Sequence, residues 1–353
     1  MSATQTLDRW LALLPARRAS DLMLVAGAPA SLHVDGAVVP LEEPPLSGTE
    51  IEELTLPALP PHAQVRYREC GIADASYPLA GTGRFRINLH RERGRPAATI
   101  RLLPSRLPRL GDLGLPPVIE TLARIPRGLV LIGGPMVAGK TTTLTALVQE
   151  INRKERRHII TIEDPIEYEY AHEKSLVEQV EIGVDAPDFP TALRAALRQA
   201  PDVLVLGEMR DPESMRIAVA AAETGHLVFS TIHGTDVASS VGRIVDSFPV
   251  ERQGVVRQEL AMALAAVMTQ QLLLRRGGGR VVATELLLVG YGARQHIRRN
   301  ALQYLHQEIT LTQDKGSFSM EASLAQLFHQ GDVDRDEVMC RSLHPEVLQD
   351  LIG

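Results

Sequence analysis

The sequence predicts an α/β fold preceded by a smaller α+β domain, and three observations predict it. From Gly128 onward, short apolar runs alternate with helix-patterned stretches. That order builds a mainly parallel sheet with helices on both faces. Before Leu107 the chain is a series of strand-like runs punctuated by Gly and Pro, with one helical stretch. Between the two regions, Leu107 to Pro117 carries Pro108, Gly111, Gly114, Pro116 and Pro117, the composition of a linker. The expected division is a first domain at 1–106, a linker at 107–117, a second domain at 118–290 and a helical region at 291–353.

In the first domain, Ser20 to Gly27 and Ser31 to Gly36 read as strands joined by a Gly-Ala-Pro turn. Asp35-Gly36 before Ala-Val-Val-Pro is a hairpin signal. Glu50 to Leu59 reads as a helix, and Ala73 to Leu79, Gly83 to His90 and Ala97 to Leu103 read as strands. Arg86 and Arg101 fall mid-strand. The plain reading of such charges is the solvated face of an antiparallel sheet.

The second domain is organised around Gly128 to Thr143. Leu129 to Ile132 reads as a buried strand, and a helix runs from Lys140 to about Arg153. Between them lies Gly134-x4-Gly139-Lys140-Thr141, the phosphate-binding loop pattern. A loop from a strand end to a helix start aims several backbone N–H groups at one place, and the helix dipole adds about half a positive charge. The expected nucleotide-binding stretch is Gly134, Pro135, Met136, Val137, Ala138, Gly139, Lys140, Thr141 and Thr142. Lys140 would reach the β- and γ-phosphates, and the Thr141 hydroxyl would bind Mg²⁺.

Further elements follow in alternation. A helix starts at Val118; His158 to Glu163 is a strand, Phe189 to Gln199 a helix, and Asp202 to Glu208 a strand. Asp211 caps a helix with Pro212 at its first position, running to Glu223. His226 to His233 is a strand, and Thr235 or Asp236 caps a helix to about Phe248. Ligands of such folds sit at strand C-terminal ends. Four of these ends carry polar groups: the loop itself, Glu163-Asp164, Glu208 and His233. Glu163 is placed to support Mg²⁺ or the attacking water, and Glu208 to take the water's proton or hold the metal through water. His233 is placed to contact the γ-phosphate. His226, at the other end of its strand, is farther from the loop and suits packing or an interface.

The net charge is −6, which argues against a dedicated nucleic-acid binder. Two distant cysteines, Cys70 and Cys340, imply neither a zinc site nor a disulfide framework. The first ten residues lack the order of a secretion signal, and no apolar run reaches the ~18 residues of a membrane span. A cytoplasmic protein is expected.

Three stretches carry a resemblance: Thr161-Ile-Glu-Asp-Pro-Ile-Glu-Tyr168, Leu206-Gly-Glu-Met-Arg-Asp211 and Glu223-Thr-Gly-His-Leu-Val-Phe-Ser-Thr-Ile-His233. They resemble the acidic box, Walker B segment and histidine box of the secretion-superfamily motor ATPases. Ser20-Asp21-Leu22, Gly83-Arg-Phe-Arg86 and Leu113-Gly-Leu-Pro-Pro117 extend the likeness over Ser20 to Gly331. The chain is most similar to the PilT-type retraction ATPases of bacterial type IV pili. The resemblance implies a homohexameric ring of RecA-like ATPase domains, each with a smaller PAS-like N-terminal domain. It implies ATP and Mg²⁺ as ligands, with Glu163, Glu208 and Thr141 serving the metal. Arg86 and Arg101 become arginine fingers, and His226 joins the nucleotide-site set with the histidine box. The implied role is pilus disassembly and twitching motility at the inner-membrane pilus machine, with a platform protein as partner.

Two stretches depart from the family. Its loop reads Gly-Pro-Thr-Gly-Ser-Gly-Lys-Ser, whereas here Met136, Val137 and Ala138 occupy the middle. If the backbone at Val137 takes φ > 0, a β-branched residue costs at least about 1–2 kcal/mol. The family helix Ala-Ile-Arg-Asn-Leu-Ile-Arg-Glu is here Gly292 to Arg299, keeping Arg294, Ile297 and Arg298. Alternatives follow from these departures. One is an accessory, weakly hydrolysing subunit that supports an active paralogous retraction ATPase, as PilU-type proteins are thought to do. The other is a type II secretion or DNA-uptake motor of the same fold. The polar, helix-like stretch 331–353 carries no usable motif.

Overall fold

The computed structural model describes residues 3–34, 36–104 and 106–353. The chain divides into two compact units. One is the chain up to Leu107 with Glu163–Glu169 and Val180–Pro187; the other is Pro108–Ile162, Tyr170–Gln179 and Asp188–Gly353. The first unit is thus discontinuous in sequence, whereas composition alone shows a single break near 107.

The first unit contains α1 (Ala3–Arg17), β1 (Ala19–Val25), β2 (Ser31–Val34), β3 (Ala37–Pro40), α2 (Gly48–Thr55), α3 (Pro61–Cys70), β4 (Ala73–Leu79), β5 (Gly83–Glu92) and β6 (Arg95–Leu102). The strands form one antiparallel sheet in the order β3-β2-β1-β6-β5-β4. Along β5, Phe85, Ile87 and Leu89 are buried and alternate with Arg84, Arg86 and Asn88, as the strand period of two requires. The buried row joins a core with Leu7, Leu11 and Leu14 of α1. Sequence reading does not foresee α1, although Leu7, Trp10, Leu11 and Leu14 recur at helical spacing. Nor does it foresee α3, whose residues are polar on most sides. Val34 pairs with Ala37 across the β2–β3 hairpin; Asp35 of the hairpin signal lies outside the described residues. Buried Glu181 accepts from Arg84, from Ser76 at 2.6 Å and from the Ile166 N–H at 3.1 Å, tying the two inserted segments to β4 and β5.

The second unit begins with β7 (Gly128–Gly133) and α4 (Lys140–Lys154), then β8 (His158–Glu163), β9 (Leu176–Glu181), α5 (Phe189–Ala196), β10 (Val203–Leu206), α6 (Pro212–Glu223) and β11 (Leu227–Ile232). It continues with α7 (Val237–Asp246), α8 (Val250–Ala263), β12 (Leu264–Leu274), β13 (Arg280–Leu288), α9 (Tyr291–Arg298), α10 (Leu305–Leu311), α11 (Met320–His329), α12 (Arg335–Arg341) and α13 (Pro345–Ile352). The sheet order is β13-β12-β7-β11-β10-β8-β9. From β12 to β8 neighbours are parallel, and β13 is antiparallel to β12. Every residue of β7, β10 and β11 is buried, the mark of strands covered on both faces. Two sequence expectations need correction. The helix from Val118 is a 3-10 turn at Pro117–Arg124, and α5 closes at Ala196 rather than Gln199. The apolar run Leu260 to Leu274 is the end of α8 and all of β12, joined with no turn residue between them. Periodicity cannot separate a buried helix from a buried strand in such a run.

Candidate active site

The phosphate loop is shaped by close approach of backbone. A Cβ at Gly134 would lie 2.5 Å from the Gln270 carbonyl oxygen, and Gly134 has φ +150°. A Cβ at Gly133 would strike the Ser240 hydroxyl on α7. Only glycine lets the chain leave β7 wedged between α7 and β12. Farther along, Ala138 is buried and its carbonyl accepts from Gln270 Nε2 at 2.7 Å. Met136 and Val137 point outward, 79% and 78% exposed. Val137 has φ +62°, so the position does demand the left-handed backbone that a β-branched residue resists.

Lys140 opens α4, and its ammonium donates to the Gly134 and Pro135 carbonyls at 2.9 and 2.8 Å. Burial lowers its pKa, and the Glu208 carboxylate acts against that shift. Thr141 and Thr142 follow, half-buried in the first turn of α4. This cradle fits a polyphosphate: narrow backbone, a helix start and a cation already drawn over the loop. Among the described residues, no group of three or more His, Cys, Asp or Glu could hold a metal ion. Mg²⁺ at such loops needs only one or two protein oxygens besides phosphate and water. The Thr141 hydroxyl and the strand-end carboxylates are donors of that kind.

The ends of β10 and β11 bring two further predicted residues together. Glu208 Oε1 lies 2.8 Å from His233 Nε2, and Glu208 Oε2 accepts from Arg210 Nε at 2.7 Å. The Thr231 hydroxyl donates to the Gly207 carbonyl at 2.6 Å, locking the two strand ends in register. His226 stands at the other end of β11, where its carbonyl accepts from the Gly128 N–H at 3.0 Å. A six-residue strand, roughly 20 Å, separates it from the loop within this chain. Its Nδ1 lies 3.0 Å from the Ala221 carbonyl oxygen, a packing role.

In the first unit, Arg86 and Arg101 stand directly opposite one another on β5 and β6. Arg86 donates to Asp74 at 3.2 Å, and Arg101 Nε donates to buried Asp21 at 2.8 Å. Both act on Glu167, whose pKa burial raises and the two arginines lower. Glu163 is the last residue of β8 and belongs to this unit; its carbonyl accepts from the Ile182 N–H at 2.9 Å. Sequence reasoning misses Arg210, Gln270 and Glu167 as site residues. Arg210 and Glu167 lie inside the quoted boxes, so proximity to Glu208 and Glu163 is a signal. Gln270 interrupts an apolar run, which is the signal of a buried amide with a bond to make. In the altered α9, Ile297 is buried and Arg298 Nη2 lies 2.8 Å from Met262 Sδ on α8.

The chain is similar to known proteins over most of its length. A family model for type II/IV secretion system proteins matches residues 94–323. The type IV pilus retractation ATPase PilT of Pseudomonas aeruginosa PAO1 is 37% identical over 336 residues, covering 95% of this chain and 98% of that protein. The type IV pilus ATPase PilU of the same organism is 34% identical, covering 95% and 88%. The crystal structure of the pilus retraction motor PilT with bound ADP aligns with a TM-score of 0.87 at 39% identity, over 96% of this chain and 98% of that one.

Proposed function

The chain belongs to the type II/IV secretion system protein family, and we propose on that footing that it is an ATP-hydrolysing motor that retracts type IV pili. One observation carries the reading. The phosphate loop leaves β7 at the same sheet edge where Glu208 and His233 pair at 2.8 Å.

The reading assigns these roles. Backbone N–H groups between Gly134 and Thr142, Pro135 having none to give, and the Lys140 ammonium bind the phosphates. Lys140 exchanges its two loop carbonyls for phosphate oxygens, which is a short swing of an already placed side chain. Thr141, Glu163 and Glu208 would hold Mg²⁺, directly or through water. Mg²⁺ held there would supply neutralisation of phosphate charge. Glu208 takes the proton of the attacking water while His233 orients its carboxylate and contacts the γ-phosphate. Arg86 and Arg101 neutralise charge that develops in the transition state. The reading brings with it a homohexamer, an inner-membrane platform protein as partner and a cytoplasmic place of work. Among the described residues no helix is long and apolar enough to cross a membrane.

Purified protein with Mg²⁺ should hydrolyse ATP, and Lys140→Ala and Glu208→Gln should abolish turnover. A strain lacking the protein should fail to withdraw its pili, and the Glu208→Gln variant should not restore withdrawal. Equal turnover in all three proteins overturns the assignment. A second reading, an accessory subunit of low turnover beside an active paralogue, has one observation in its favour: the strained Val137 in the anion cradle. Wild-type turnover on the order of 1 s⁻¹ or faster removes it.

A further inference from the structure

Behind the start of α7 lies a cavity of about 20 Å³, room for about one water molecule. Asp236, Glu285, His306, Glu321 and His344 line it. They arrive from the α7 cap, β13, α10, α11 and the turn before α13. The His344 turn belongs to the C-terminal stretch in which the sequence shows no motif.

Glu285 is 4% exposed. Its Oε2 accepts from the Val237 N–H, the first of α7, at 3.0 Å, and from the Thr269 hydroxyl of β12 at 3.2 Å. Its Oε1 lies 3.9 Å from His306 Nδ1, and the His306 ring rests against His344 with centroids 4.3 Å apart. Glu321 is 1% exposed. One of its oxygens accepts from the Ser342 hydroxyl at 3.1 Å and the His344 N–H at 3.3 Å; the other is buried and unpartnered.

Three carboxylates around one water-sized space do not all stay ionised. Burial pushes Glu285 up to about 7; the Val237 N–H and Thr269 act against it, and Asp236 and Glu321 add to it. Burial also lowers the pKa of His306, as does His344, while Glu321 and Asp236 raise it. A neutral Glu285 keeps its two acceptor bonds through Oε2 and can share its proton across the cavity. An ionised one faces Asp236 and Glu321 as like charges.

We propose that Glu285 is a positioning residue for His233. Beneath the C-terminal turn, it anchors the first N–H of α7 and with it the His233–Asp236 segment. The segment has little other freedom, because a Cβ at Gly234 would already strike Ser240 of α7. This inference rests on the ATPase reading only for its effect on turnover.

The test compares wild type with Glu285→Gln and Glu285→Ala as full chains across the pH range. Glutamine keeps the two acceptor bonds and cannot ionise. In wild type kcat should fall on the order of threefold as pH rises through about 7, with KM for ATP held. Glu285→Gln should keep kcat level, and Glu285→Ala should lower kcat at every pH. Thermal unfolding gives a readout independent of hydrolysis. The proton bound in the folded state stabilises fully below about 4.5, and that stability is lost as pH rises to about 7. The excess unfolding temperature of Glu285→Gln over wild type should therefore grow across that window and level off above it. Superimposable pH courses of unfolding for wild type and Glu285→Gln overturn the neutral cluster, whether or not the protein hydrolyses ATP. Parallel kcat profiles, or a Glu285→Ala variant with wild-type kcat, overturn the link to His233. If Glu285→Ala fails to fold, Glu285→Gln decides alone.

Discussion

The phosphate loop and the arginine face are built in opposite ways. The loop is made of backbone, pressed so close to Gln270 and Ser240 that glycine is required at Gly133 and Gly134. Its one cation, Lys140, is already folded over the loop carbonyls. The arginine face is made of side chains on an exposed sheet row, where Arg86 and Arg101 are each held by a carboxylate from elsewhere in the unit. A backbone site restricts residue types at fixed spacing. A side-chain site restricts almost nothing locally, because Arg101 and Asp21 are distant in sequence and adjacent only through the β1–β6 pairing.

The largest expected effect separates the two regions directly. Lys140→Ala removes the cation from the loop and should cut ATP turnover by at least about 10²–10³-fold. Among the described residues its ammonium bonds to two carbonyls of the loop itself, so the unfolding temperature should barely move. A large drop in unfolding temperature would mean that Lys140 holds the loop together, and the contrast with the arginine face would fail.

Next come the two arginines, which the proposed roles treat as equals and the structure does not. Either alanine variant should lower turnover about 10²-fold. Stability should differ. The Arg86–Asp74 pair is half-exposed on both sides, and such pairs contribute about 0–1 kcal/mol. Asp21 is only 8% exposed, so Arg101→Ala leaves a buried carboxylate with the Ser20 hydroxyl as its main donor. Loss of such a partner costs about 1–3 kcal/mol. Equal unfolding midpoints in denaturant would remove this asymmetry, and wild-type turnover in both variants would return the arginines to a solvated sheet face.

The same distinction explains what was legible in the sequence. The loop pattern, the alternating strands and the polar strand ends could be read because each needs particular residues at set spacings. Glu285 could not. In Arg280–Leu288 it is one acid in an apolar strand, and its meaning comes from Asp236, His306, Glu321 and His344 on four other elements. Arg84 and buried Glu181 are likewise a pair assembled by topology, and they draw Glu163–Glu169 into the first unit. The boundary near 107 follows composition, but no composition break marks segments that return to a unit by side-chain pairing. His226 shows the converse. A box read as one motif has its two histidines at opposite ends of β11.

Val137→Gly carries the smallest expected effect and sharpens the comparison most, because it tests the backbone character of the loop. At φ +62° a valine costs roughly 1–2 kcal/mol that glycine does not. Its side chain is 78% exposed, so truncation forfeits little packing. Glycine gives back part of the gain through a more flexible unfolded chain, roughly 0.5–1 kcal/mol. The net should be a stabilisation of up to about 1 kcal/mol, raising the unfolding temperature by roughly 2–4 °C at most. Turnover should stay on the same order of magnitude, since Val137 already holds the left-handed backbone that the loop uses there. A gain of about tenfold or more would show that the valine strain restrains the chemistry itself. That result would favour the accessory-subunit reading over that of a primary motor.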